Sequence, residues 1–122
     1  MKERSNLFKA LDNLTANVKE YRNTQITDGN RLLEILQQLT GTLFYLEKER
    51  SEYHTKFQNV INALVLDGES VARAENTAHK EVPELYMLRH IMSSGYDVVG
   101  AIRTTVSFIK LELNNSTNNQ NK

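Results

Sequence analysis

The sequence predicts an all-α protein: an elongated helical hairpin or bundle with coiled-coil-like packing, a long second helix and a long C-terminal helix. Three observations carry that expectation. Apolar residues recur at steps of three and four in three separate segments, which keeps their side chains on one stripe of a helix. No stretch alternates apolar and polar residues as a half-buried strand does. Only one proline, Pro83, occurs among the 122 residues, so little interrupts a helical run.

The first stripe is Leu7, Leu11, Leu14, Val18 and Tyr21, and "NTQITDGN" (Asn23 to Asn30) ends it. Thr27 or Asp28 then supplies an N-cap for the second helix. That helix carries Leu32, Leu36, Leu39, Leu43 and Leu46, is interrupted by Arg50, and resumes with Tyr53, Phe57, Val60 and Leu64. "LDGES" (Leu66 to Ser70) closes it, with Gly68 for the turn and Ser70 to cap a shorter helix over Val71 to Glu81. Pro83 disfavours helical geometry at Val82 and is welcome in a first turn, so a restart belongs there. The last stripe runs Leu85, Leu88, Met92, Gly95, Val99, Ile102, Val106, Ile109 and Leu113. Residues 1–113 are thus predicted to form one helical domain. The asparagine-rich segment 114–122 has nothing to bury and is predicted to be a disordered polar tail.

Length points to self-association. A second helix from Asp28 to Val65 is ~55 Å long at 1.5 Å per residue, whereas a globule of this chain length has a radius of gyration of only ~14 Å. Helices this long cannot cover every face of one another in a single copy. Ile91 and Val98 widen the last helix's apolar seam, and Ser93, Gly100 and Ser107 recur at sevens on another face, small enough for a close neighbour. Together these five residues are the predicted interface of a homo-oligomer.

Composition excludes several classes of function. Fifteen basic and fifteen acidic residues give a formal net charge of +0, so no global field attracts nucleic acid or anionic lipid, and any anion site must be local. The absence of cysteine removes disulfides, thiolate metal sites and cysteine nucleophiles. Glu75, His79 and His90 lack the spacing of a zinc or di-iron motif, so no metal and no cofactor are predicted. No Ser or Thr stands in a nucleophile elbow, and "TDGN" is too short for a phosphate loop, so no enzyme is predicted. "MKERSNLFKALDNL" is charged from its second residue, which predicts a cytoplasmic protein without a membrane span.

The local anion site to consider is Arg89, Tyr96, Arg103 and Lys110, spaced seven apart beside the last apolar seam. A helix drifts only about 20° per heptad, so the four form one ridge ~30 Å long. Guanidinium groups bind phosphate and a tyrosine ring stacks on a base, which suits a nucleic-acid strand. The same spacing also suits cations that flank a helical seam and pair with acids on the neighbouring helix.

The layout resembles small helical accessory proteins of bacteriophages. The last helix is similar to that of UvsY-type recombination mediators, on the strength of Tyr86, the small residues Ser93 to Gly95, and "AIRTTVSFIK" (Ala101 to Lys110). That resemblance implies a non-enzymatic scaffold, assembly driven by the C-terminal helix, and single-stranded DNA or a recombination or replication protein as partner. If phage-encoded, it would act in the host cytoplasm. An alternative expectation is an anti-defence protein that sequesters a cyclic nucleotide signal or inhibits a host immune protein, because Tyr21-Arg22 before a capped helix loosely resembles one such family. A third is a helical module that binds only other proteins.

Overall fold

The computed structural model describes residues 2–23 and 28–120, with side chains from Asn6 to Asn23 and from Asp28 to Asn114. It contains four helices: α1 (Lys2–Asn23), α2 (Gly29–Leu66), α3 (Val71–Glu81) and α4 (Pro83–Gln120). No strand occurs among the described residues, so the protein is all-α.

Local chemistry sets the boundaries. Asp28 adopts extended backbone angles and its carboxylate accepts the Asn30 N–H at 2.9 Å, which starts α2. Thr27, the other predicted cap, lies outside the described residues. At the far end Gly68 takes φ 99°, and the Glu69 N–H returns to the Leu64 carbonyl at 3.0 Å. A residue with a β-carbon would be strained at that angle. Ser70 caps α3 by accepting the Arg73 N–H at 3.3 Å. Val82 leaves the helix with φ −125° and ψ 64°, and Pro83 opens α4, where its missing N–H costs nothing.

Two buried clusters hold the helices together. In the larger, Leu7, Leu11, Leu14 and Val18 of α1 meet Leu32, Ile35, Leu39, Leu43 and Leu46 of α2 and the middle of α4. In the smaller, Phe57 of α2 packs with Ala78 of α3, Val82 and Leu85. The long α2 is therefore lined in two parts, by α1 near its start and α3 near its end, while α4 contacts all three other helices. Ala74 and Ala78 are completely buried, small side chains that let α3 lie close against α2.

The structure departs from the sequence reading at four places. Ile35, not Leu36, is the fully buried residue of that α2 turn, and Leu36 is half-buried. Val98 is 2% exposed and belongs to the chain's own core, so it is not an interface residue; Ile91 is half-buried and packs on that core too. The widened seam of α4 is filled by α1, which the stripes alone could not reveal. Ile109 and Leu113, predicted as seam residues, are 37% and 62% exposed, because α2 begins only at Gly29 and covers little of that turn. Finally, α4 continues through Gln120, so the predicted tail is helical over 114–120. Neither Gly nor Pro follows Gly100, and an existing helix gains one hydrogen bond for each residue it adds.

Candidate functional site

The ridge of Arg89, Tyr96, Arg103 and Lys110 lies along the seam between α2 and α4, and α2 answers it at the same spacing. An Arg89 Nη2 to His54 Nδ1 contact of 3.2 Å marks one end. Seven residues on, the Tyr96 hydroxyl donates to Glu47 Oε1 at 2.6 Å. Arg103 shares a cleft of about 240 Å³ with Thr40, Phe44 and Glu47. Lys110 shares another of about 350 Å³ with Asn30 and Leu33. As α4 advances by sevens, its partners on α2 (His54, Glu47, Thr40, Leu33) recede by sevens. The two helices therefore run antiparallel along this seam.

Electrostatics divide the ridge into an occupied half and an open half. Glu47 accepts from both the Tyr96 hydroxyl and Arg50 Nε, the latter at 3.0 Å, so the arginine that breaks the α2 stripe is satisfied. The Tyr96 bond, helped by Arg50, holds the Glu47 carboxyl below its ordinary value. Burial, and then the bond to Glu47, push the Tyr96 hydroxyl up to about 12. Arg103 and Lys110, by contrast, have no acidic partner within salt-bridge distance among the described residues.

The open half is also apolar. Phe44 is 83% exposed beside Arg103, and Leu33 is 48% exposed beside Lys110. This groove runs along the side of the α2–α4 pair turned away from α1. Ile91 and His90 line a cavity with Val18 and Arg22 of α1, and Tyr96 lies five residues beyond Ile91, ~140° further around the helix.

The predicted interface residues separate in the same way. Ser93, Gly100 and Ser107 are exposed, and a β-carbon built on Gly100 meets no atom within 4 Å. Their stripe points away from the core and continues into the exposed Leu111. Phe108, a neighbour on that outer surface, is 59% exposed. Phe44 and Phe108 were not singled out by sequence reasoning. Their one signal is that each large apolar residue falls outside its helix's three-four stripe.

Elsewhere Arg31 binds Glu20 bidentately, its Nε donating to Oε2 at 2.6 Å, and ties α1 to α2. That ion pair holds the Glu20 carboxyl below its ordinary value. His79 packs against Phe57 with ring centres 4.9 Å apart, and His90 stacks on Tyr86. Among the described residues no three His, Cys, Asp or Glu side chains gather as a metal site would need. No helix among them is long and apolar enough to cross a membrane. Comparison of the chain with protein-family models, curated proteins and solved structures finds no match in any of the three.

Proposed function

We propose that this chain is a non-enzymatic helical accessory protein that works by binding other proteins, copies of itself included. One observation carries this reading: large apolar side chains stand exposed together at the α2–α4 groove and over residues 108–113 of α4. Phe108, Leu111 and Leu113 are each more than half exposed, and Ile109 is 37% exposed. Large apolar side chains gathered on one exposed helix segment form a surface that another element covers. The outer stripe of Ser93, Gly100 and Ser107 leads into this stretch and lets a second helix come near. Light scattering should give a mass above the 14.0 kDa of one chain, and Leu111→Ser should lower it toward one chain. A wild type that stays at one chain's mass at all concentrations would refute self-association.

A second reading, a ridge for single-stranded nucleic acid as in a phage recombination mediator, has its own support in Arg103 and Lys110, which pair with no acid among the described residues. Against it, the Glu47 carboxylate sits beside the ridge and Tyr96 is bonded to it, so two of the four positions face an acid or a histidine. Salt decides between the two. Strand binding through the ridge should weaken with salt by roughly 0.7 in log–log slope per phosphate contact, and Arg103→Ala should reduce that slope. A cyclic nucleotide held by few phosphates would show a shallow slope instead.

A further inference from the structure

We infer that the α2–α4 groove receives an acidic amphipathic helix from a partner protein, with Phe44 and Leu33 taking its apolar face and Arg103 and Lys110 pairing with its carboxylates. The inference rests on the protein-binding reading above and names the partner's chemistry. Phe44 projects almost wholly into solvent from a helix whose other large apolar residues in that stretch, Leu39, Leu43 and Leu46, are buried. An exposed aromatic on a rigid helix is the kind of side chain on which binding energy concentrates. Leu33 repeats the apolar contact three turns away, so the groove offers two anchors along one line, as helix-in-groove recognition requires.

Charge then selects the occupant. The groove's one interior acid, Glu47, is already satisfied by Tyr96 and Arg50, and Asp28 at its end is engaged in capping α2. Among the described residues what remains uncompensated is positive: Arg103 and Lys110, seven residues apart on one face of α4. A helix with acidic side chains at the same heptad spacing meets both cations while its apolar residues meet Phe44 and Leu33. A basic helix would meet two like charges with nothing to offset them.

The test is a surface-displayed library of amphipathic helices of about 16 residues, sized to the ~21 Å between the Leu33 and Glu47 turns at 1.5 Å per residue. Polar positions are randomised among Glu, Gln and Lys, and the full chain is the bait. Selected helices should carry Glu at two positions seven apart. Replacing both with Lys should weaken binding roughly tenfold, and the Arg103→Glu/Lys110→Glu double variant should prefer the Lys helices. Phe44→Ala should weaken binding about 30-fold, with its helical circular dichroism unchanged because that side chain packs on little. Selection of no helix, or of Lys helices by the wild type, would overturn the inference. So would a single-stranded oligonucleotide that binds with a steep salt slope lost in the double variant, which would assign the groove to phosphates. Self-association measured in parallel keeps the two readings apart: an oligomer that selects no acidic helix sinks this inference alone.

Discussion

The Tyr96 hydroxyl donates to Glu47 across the α2–α4 seam, and the two groups give the seam a pH dependence at both ends of the scale. Glu47 is held below its ordinary value, so its share of the stabilisation is present above the usual carboxylate range and is lost as pH falls through the lowered value. Tyr96 is raised, so its share is present below the ordinary tyrosine value of 10.0 and is lost as pH rises toward about 12. The bond leads the shift at Glu47, burial leads it at Tyr96, and both groups are half-exposed. Tyr96→Phe should therefore cost only about 0.5–1 kcal/mol in urea unfolding at neutral pH. It should also return the Glu47 carboxyl toward its ordinary value in an NMR titration; an unmoved titration would mean that the bond does not persist in solution. The heptad spacing of the ridge made all four of its residues legible in the sequence. Which were free for a ligand was not legible, because that depends on Glu47 and His54, residues 49 and 35 positions away along the chain.

Two glycines on α4 show how differently one helix is used on its two sides. A β-carbon on Gly95 would lie 3.0 Å from Leu14 Cδ1 and 3.3 Å from Leu43 Cδ2, so its bareness is what lets α1 and α2 close on α4. At Gly100 the same atom meets nothing. Gly95→Leu should destabilise the fold by about 1–3 kcal/mol through overpacking. Gly100→Leu should leave the single chain as stable or up to ~1 kcal/mol more so, since leucine is the better helix former. Equal effects at the two sites in thermal unfolding would contradict the packing. Because the single chain tolerates bulk at Gly100, any fall in assembled mass caused by Gly100→Leu reports on a neighbouring copy. At this scale most of the structure could be read from the sequence. Gly68, Ser70 and Pro83 act through local backbone chemistry, and they mark the ends of α2, α3 and α4 in the sequence as they do in space. The partner of each stripe could not be read in that way. Periodicity gives the width of an apolar face, and the second row formed by Ile91 and Val98 looks the same whether α1 or another molecule fills it.

Over the whole molecule, two helices of 38 residues are lined by two shorter ones. α3 and α1 share the length of α2, and residues 108–113 of α4 pass the start of α2 with Phe108, Ile109, Leu111 and Leu113 exposed to differing degrees. Protein binding, self-association first, is the function proposed for this stretch. Hydrogen–deuterium exchange of the Phe108 to Leu113 amides, followed from micromolar to millimolar protein, tests this most directly. In an assembled protein another copy covers these turns, so their exchange should slow as concentration rises, while core amides around Leu39 and Leu88 stay equally protected throughout. Exchange from Phe108 to Leu113 that is fast and independent of concentration would show that no second copy covers this stretch of α4, and would contradict self-association through it.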